Sequence, residues 1–375
     1  MSITSSISAV ATSPCCTEIR ELPLPSFGPD AGLLRVVATG VCGSDWPMYK
    51  TREPGPRILG HEMVGIVEAL GPLAGERWGV KEGDFVALEE YLPCGHCEYC
   101  RSGEFRSCFE TDSRVPGAIR YGSTPLSVEP ALWGGFGQFL YMHPRTVMHR
   151  VPEGVEPHIA AMAIPLGNGF QWACLDGGAG PGKTVVIQGP GQTGLACVLA
   201  AAAAGADRII LSGLARDRMR FEVARALGAD LTVAVDEQDL AEVVAEATQG
   251  RMADLVIEAT SAGPEIINSS LKLVRKRGTL LLASRKGMPV EGFDLDRMLG
   301  MQMTVKGVRG HSYQSVEMAL SAMASGRYPL HMLSTHIVGL DEVDAALRTI
   351  GGQDDREAIH ITVAPWGTEG SHVAA

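Results

Sequence analysis

The sequence predicts an α/β protein that joins a doubly wound parallel sheet to a β-rich domain, and three observations support this. Residues 18–150 contain short apolar runs bounded by Gly and Pro, which is typical of strands and turns. From Lys183 to Val308, six short apolar runs alternate with helix-like segments, which indicates a parallel sheet. The chain has 375 residues, a length that favours two domains over one core.

The individual elements follow from these patterns in chain order. In the β-rich part the predicted strands are LLRVVATGVC, EMVGIVEAL and DFVALEEYL, and after Pro157 the segment HIAAMAIPLGNGFQWACLD is helix-like. The parallel sheet is predicted from TVVIQ, RIILS, LTVAV, DLVIEA, TLLLAS and MTVKGV. The Ala-rich run 195–206 is too short to span a membrane and predicts a buried helix. Near the C-terminus, SYQSVEMALSAMASG and VGLDEVDAALRTI predict helices and AIHITVAP a final strand.

Composition excludes several classes of partner. The formal net charge is -11 and the pI is about 5.4, so nucleic acid and anionic membranes are disfavoured. The N-terminus lacks the basic residues and apolar run of a signal peptide, and no apolar stretch reaches membrane-spanning length. Clustered thiols without a secretion signal indicate metal binding in a reducing cytoplasm.

A glycine-rich turn predicts a dinucleotide site. Gly189, Gly191 and Gly194 form GxGxxG directly after the strand TVVIQ, and Gln192 and Thr193 open the following helix. The first glycine permits a tight turn, the second lets a pyrophosphate approach the backbone, and the third lets helix and strand pack closely. The helix N-terminus offers free N–H groups to the phosphates. A glycine-rich turn of some other α/β protein is the alternative.

The end of the second strand of this sheet bears on the choice between NAD and NADP. An acidic residue there would bind the ribose hydroxyls of NAD, but this chain has Gly213. Arg216 and Arg218 just beyond it, with Ser212 as a hydroxyl donor, suit the 2′-phosphate of NADP, although both arginines could instead belong to a solvated helix face. Asp217 in the same loop could instead fold back onto a ribose. The sequence therefore favours NADP over NAD without settling the choice.

Four cysteines predict a structural zinc site. Cys94, Cys97, Cys100 and Cys108 are spaced CxxCxxCx7C, and four thiolates at such spacing can close a tetrahedral shell around one zinc ion. A closed shell leaves no position for substrate. The alternative is a loop of free or disulfide-bonded cysteines.

Three further motifs accompany this cluster: GVCGSD and then GHE lie upstream of it, and QGPGQTG lies downstream. Together they resemble the zinc-containing medium-chain dehydrogenase/reductases over residues 18–365. The resemblance implies a GroES-like catalytic domain at 1–165 with a zinc lobe near 90–110, a Rossmann-type domain at 166–308, and a segment 309–375 returning to the first domain. It also implies a site in the cleft between the domains and a homodimer or homotetramer.

The resemblance assigns a second, catalytic zinc, giving two zinc ions per subunit. Cys42 and His61 match two of its ligands, but the usual third ligand position holds Ile164, which cannot bind zinc. Glu62 is then the expected third ligand, with Asn168 a poorer candidate. The alternative is that this metal is held weakly or not at all.

Further roles around this zinc are implied in the same way. Ser44 matches the family's hydroxyl relay and would accept the alcohol proton, and Asp45 would position the loop. A relay histidine is replaced by Pro47, so Tyr49, water or the cofactor ribose would carry the proton onward.

The resemblance implies that four residues line an apolar substrate pocket: Trp46, Met48, Trp133 and Phe136. The alternative for each aromatic residue is a place in the core. The implied activity is a zinc-dependent NAD(P) alcohol dehydrogenase or ketone reductase for a small-molecule, apolar or cyclic alcohol. Two alternatives remain: an NADPH-dependent reductase of activated C=C bonds that has lost the catalytic zinc, and an inactive nucleotide-binding homologue.

Overall fold

The computed structural model describes residues 3–51, 55–111, 115, 117–354 and 357–367. These form two compact units: the first comprises residues 1–164 and 330–375, and the second residues 165–329. The expected C-terminal segment, starting at residue 309, was therefore placed too early. Residues 309–329 stay with the second unit because the Trp172 indole donates to the Gly310 carbonyl (2.9 Å) and Val316 packs on Gly167.

The strands are β1 (Ser5–Ser13), β2 (Cys16–Pro23), β3 (Gly32–Gly40), β4 (Arg57–Ile58), β5 (Glu62–Leu70), β6 (Phe85–Leu88), β7 (Phe139–Met142), β8 (Met148–Arg150), β9 (Thr184–Gln188), β10 (Arg208–Gly213), β11 (Leu231–Ala234), β12 (Ala253–Glu258), β13 (Val274–Leu282), β14 (Thr304–Gly307), β15 (Ser334–Val338) and β16 (His360–Val363).

The α-helices are α1 (Asp45–Tyr49), α2 (Ala74–Trp78), α3 (Glu98–Arg101), α4 (Pro157–Ala160), α5 (Ala163–Phe170), α6 (Gln192–Ala203), α7 (Arg218–Leu227), α8 (Leu240–Ala247), α9 (Ile266–Leu273), α10 (Leu295–Gly300), α11 (Tyr313–Ala324) and α12 (Val343–Ile350). A π-helix spans Gln171–Asp176, and short 3₁₀ helices lie at Phe105–Ser107, Ala215–Asp217, Leu330–Met332 and Leu340–Glu342. Within the described ranges, no helix combines the length and apolarity needed to cross a bilayer.

The first unit is built on two sheets. A seven-stranded sheet has the order β15-β16-β3-β5-β6-β8, with β7 also paired to β3, and a three-stranded sheet has the order β2-β1-β4. The β15 and β16 strands come from the end of the chain, so this unit is discontinuous in sequence. β3 and β5 pair antiparallel, which places the end of β3 beside the start of β5.

The second unit confirms the predicted parallel sheet. Its six strands run in the order β11-β10-β9-β12-β13-β14, and every pairing is parallel. These are the six runs that the sequence predicts, and the order reverses between β9 and β12, where doubly wound folds bind ligands. Helix α6 follows β9 and buries Leu195–Ala201 completely, which confirms the buried Ala-rich helix.

Candidate metal centre and cofactor site

Three expected zinc ligands come together in the first unit. Cys42 lies just after β3, while His61 and Glu62 lie where β5 begins, and the antiparallel pairing of these strands brings the two ends together. The ligand atoms of all three residues lie within 4.8 Å of one another. One thiolate, one imidazole and one carboxylate are a donor set that suits zinc and leaves a fourth position open.

Asp45 fixes two sides of this centre. One carboxylate oxygen lies 3.1 Å from His61 Nδ1, and the other accepts a hydrogen bond of 3.0 Å from the Cys42 backbone N–H. Since Nδ1 faces Asp45, His61 Nε2 is the nitrogen left for a metal. Burial lowers the pKa of His61, but the charge and hydrogen bond of Asp45 outweigh it and hold that pKa well above its ordinary value.

Ser44 lies beside the same atoms. Its hydroxyl is 3.3 Å from both Cys42 Sγ and His61 Nε2, and the residue is exposed. A hydroxyl can both accept and donate a proton, so this position suits a relay. Burial and then the nearby Glu62 carboxylate raise the pKa of the Cys42 thiol, so the protein alone does not favour the thiolate that a metal requires.

The sequence did not indicate how Glu62 is held. Gly40 pairs with Glu62 on one side and with Thr362 of β16 on the other, so His360 reaches the same place. His360 Nε2 lies 3.6 Å from Glu62 Oε2, with side-chain exposures of 0% and 2%. Burial raises the pKa of Glu62, but the neighbouring His360 more than offsets this, so the pKa is lowered.

Neither of these two buried atoms, Glu62 Oε2 and His360 Nε2, has a well-formed hydrogen bond among the described residues. A buried carboxylate oxygen without such a partner is costly unless something else binds it, and a metal cation would do so. The residues present therefore fit a zinc ion.

Neither Ile164, at the family's usual third-ligand position, nor the poorer candidate Asn168 belongs to this group of ligands. Ile164 is a buried apolar side chain in α5, and the mutually close ligand atoms found among the described residues do not include it. Asn168 belongs to the second unit, where its side-chain oxygen lies 3.3 Å from His311 Nδ1. Asn168 is thus engaged by His311, and Glu62 is the third ligand that the geometry offers.

Tyr49 does not suit a proton relay. Its ring is buried, and its hydroxyl hydrogen-bonds Asp344 of α12 and Thr17 of β2. Burial and the Asp344 hydrogen bond raise the pKa of Tyr49 strongly. Tyr49 therefore anchors helix α1, and with it Asp45, to the rest of the first unit.

The prediction of an apolar substrate pocket was wrong for two of its four residues. Trp133 and Phe136 are 2% and 0% exposed, and each packs in a core cluster of the first unit, so neither presents a free surface. Trp46 and Met48 are partly buried, and a Cβ at Gly351 would come within 2.6 Å of Trp46 Cε2. Trp133 and Phe136 therefore no longer support the expectation of an apolar substrate.

The four cysteines of the second metal site also come together. Their Sγ atoms lie within 4.8 Å of one another, and the Cys94–Cys100 separation is 3.8 Å. A tetrahedral ion bound at the usual Zn–S length would hold sulfurs about 3.8 Å apart. A hydrogen bond with the Cys100 backbone is the main cause that lowers the pKa of Cys97 to about 7. A hydrogen bond with the His96 backbone is the main cause that lowers the pKa of Cys94. Burial strongly raises the pKa of Cys100, so the protein alone favours the thiolate at Cys97 and Cys94 but not at Cys100. The four sulfurs nevertheless lie at separations that fit one zinc ion.

The glycine-rich turn of the second unit has the expected geometry. Gly189 has φ +103, a conformation that favours glycine. A Cβ at Gly194 would overlap the Gly189 carbonyl oxygen, whereas one at Gly191 would meet nothing within 4 Å. The α6 helix begins at Gln192 and Thr193, so its N-terminal N–H groups open onto the space beside Gly191.

The neighbouring loop is held by carboxylates. Asp217 accepts a hydrogen bond of 2.8 Å from the Leu214 N–H, and Asp236 accepts one of 2.8 Å from the Ala215 N–H. Asp217 is thereby used to shape the loop. Arg216 is exposed, while Ser212 is only 3% exposed, so Arg216 is the more accessible of the two groups expected to meet a 2′-phosphate.

Comparison with known proteins identifies the family. The family model described as alcohol dehydrogenase GroES-like domain matches residues 28–153, and that described as zinc-binding dehydrogenase matches residues 193–325. A probable alcohol dehydrogenase of Mycobacterium tuberculosis is 36% identical over 342 residues, covering 90% of this chain and 92% of the relative. The chain belongs to the zinc-type medium-chain dehydrogenases. It is accordingly an NAD(P)-dependent oxidoreductase acting on CH–OH groups.

Similarity to two further medium-chain dehydrogenases supports the same family assignment. A sorbitol dehydrogenase of Halalkalibacterium halodurans is 30% identical over 350 residues, covering 92% of this chain and 95% of that protein. The crystal structure of an alcohol dehydrogenase from Thermotoga maritima superposes with a TM-score of 0.83 at 26% identity, covering 96% and 99% of the two chains.

Proposed function

We propose that this dehydrogenase oxidises a secondary alcohol, or reduces the matching ketone, at a zinc ion held by Cys42, His61 and Glu62, with NADP as its cofactor. The observation that carries the proposal is the mutual approach of these three ligand atoms to within 4.8 Å. The three ligand atoms come together without any ligand from residue 164, where this chain has an isoleucine.

Zinc would supply a Lewis acid that polarises the substrate oxygen, and the nicotinamide would supply or accept the hydride. Ser44 accepts the alcohol proton at its Oγ, which lies 3.3 Å from His61 Nε2. Asp45 keeps the imidazole oriented through Nδ1, and His360 orients the Glu62 carboxylate. With Pro47 in place of a histidine and Tyr49 bound to Asp344, the proton leaves Ser44 through water or the cofactor ribose.

NADP is favoured by charge at the end of β10. Gly213 provides no carboxylate there, Asp217 already binds the Leu214 N–H, and Arg216 is exposed just beyond it. A guanidinium suits a 2′-phosphate, which carries charge that a ribose hydroxyl lacks.

The remaining parts of the proposal concern the whole protein. A second zinc ion fills the four-cysteine cluster, for a total of about two per subunit. The protein works as a homodimer or homotetramer in the cytoplasm, where its thiol-rich zinc lobe stays reduced.

The test measures kcat/KM for oxidation of 2-butanol with NADP and with NAD, in the native protein and in Arg216→Ala. We expect NADP to be preferred, and the variant to lose about tenfold in kcat/KM with NADP but little with NAD, because only NADP carries the 2′-phosphate. Arg251→Ala is the matched control, because Arg251 is exposed and precedes the amino end of β12, whereas Arg216 follows the carboxyl end of the parallel strand β10. A native preference for NAD would contradict the cofactor assignment, and no turnover of any secondary alcohol tested with either cofactor would contradict the activity.

A further inference from the structure

Glu90 is a carboxylate that the metal-site motifs do not include, yet it faces the same histidine. Its Oε2 lies 3.9 Å from His61 Nε2, and its side chain is 21% exposed. Nε2 is the nitrogen that points away from Asp45, so Glu90 stands on the side of His61 where metal and substrate would bind.

The backbone fixes this position. The Glu90 carbonyl accepts a hydrogen bond of 3.0 Å from the Tyr121 N–H. The next residue, Gly122, packs on His61 so closely that a Cβ there would lie 2.9 Å from the His61 Cβ. Segment 121–122 therefore lies against both Glu90 and His61 and keeps the two side chains adjacent.

The distance decides what Glu90 can do. At 3.9 Å the Glu90 carboxylate is beyond hydrogen-bond range of His61 Nε2, so no hydrogen bond to His61 Nε2 occupies its oxygens. Among the described residues, the group of mutually close ligand atoms is Cys42, His61 and Glu62, and it does not extend to Glu90. A carboxylate beside the reaction site that does not complete the metal shell can accept hydrogen bonds from a substrate.

We propose that Glu90 determines substrate specificity by binding a hydrogen-bond donor on the carbon next to the reacting carbinol. The inference rests on the proposed function. An ionised carboxylate accepts only, so the group it binds is a hydroxyl or an ammonium, and the substrate is a vicinal diol or a 2-amino alcohol. A substrate with only a methylene there would leave the carboxylate desolvated and unpaired, which costs binding free energy.

The experiment compares three alcohols on one carbon frame: 2-butanol, 2,3-butanediol and 3-amino-2-butanol. In the native protein we expect kcat/KM for the diol or the amino alcohol to exceed that for 2-butanol by about tenfold or more, as one hydrogen bond to a charged group provides. Whichever is preferred identifies the donor. In Glu90→Ala and Glu90→Gln this ratio should fall by about tenfold, while zinc per subunit stays at the native value.

Glu98→Gln is the control, because it removes an exposed carboxylate from the nearby helix α3 and should leave the ratio as in the native protein. A native preference for 2-butanol, or a ratio that survives in Glu90→Ala, would overturn the specificity role. A loss of zinc in Glu90→Gln would make Glu90 a metal ligand and would overturn it too. No turnover of any of the three alcohols would instead overturn the proposed function, and this inference with it.

Discussion

Gly40→Ala is expected to release the catalytic zinc while the zinc of the four-cysteine cluster stays bound. A Cβ at residue 40 would overlap Glu62 Oε2 and come within 2.6 Å of His360 Nε2. Both side chains are buried, at 2% and 0% exposed, so neither can move into solvent. The carboxylate must leave the position from which it meets Cys42 and His61. Misplacing a ligand or its support commonly lowers metal affinity or activity about 10- to 100-fold, and metal analysis with kcat/KM measures both.

Gly43→Ala is the matched control for this prediction. Gly43 lies between Cys42 and Ser44, and a Cβ there would meet nothing within 4 Å, so its zinc content and activity should stay close to native. If Gly40→Ala retained both zinc ions and full activity, Glu62 would not be a ligand.

Gly194→Ala is expected to destabilise the second unit and to abolish cofactor binding. Its Cβ would overlap the Gly189 carbonyl oxygen, a backbone atom that cannot rotate away, so the start of α6 must separate from the turn after β9. Overpacking of this kind costs on the order of 1–3 kcal/mol, and it also displaces the N–H groups that face the phosphates. Thermal unfolding and cofactor titration measure the two effects.

Gly191→Ala separates the two effects. A Cβ at Gly191 would meet nothing within 4 Å, so the melting temperature without cofactor should match that of the native protein. Cofactor affinity should still fall, because the methyl group occupies the space through which a pyrophosphate approaches the backbone. An unchanged affinity in Gly191→Ala would show that the cofactor does not use this turn.

Much of the fold could be predicted because its signals are local. The six parallel strands are continuous apolar runs, as expected for strands buried on both faces, and the glycine-rich turn marks the first of them. The ligands Cys42, His61 and Glu62 were expected from the resemblance of GVCGSD and GHE to the motifs of the family. The antiparallel pairing of β3 with β5 explains how these two separate motifs come together.

The N-terminal hairpin lacked such signals. β1 points Ser6 and Ser8 into the interior, where both are fully buried and the Ser6 hydroxyl accepts a hydrogen bond from the Phe139 N–H. Inward serines reverse the alternation that marks a strand, so β1 was not predicted.

Residues contributed by distant segments were missed for a different reason. His360 reaches Glu62 only through the register of β16 on β3, and Glu90 reaches His61 through segment 121–122. No spacing in the sequence encodes either approach. Trp133 and Phe136 show the converse error: an aromatic pattern is equally compatible with a pocket and with a core, and only burial distinguishes the two.

The central claim is that Cys42, His61 and Glu62 hold a catalytic zinc without a ligand at residue 164. The most direct test is zinc per subunit in the purified native protein and in Cys42→Ala. The account predicts about two zinc ions in the native protein and about one in the variant, the remaining one bound by the four-cysteine cluster. About one zinc ion in both proteins would contradict it, because the three ligands would then hold no metal.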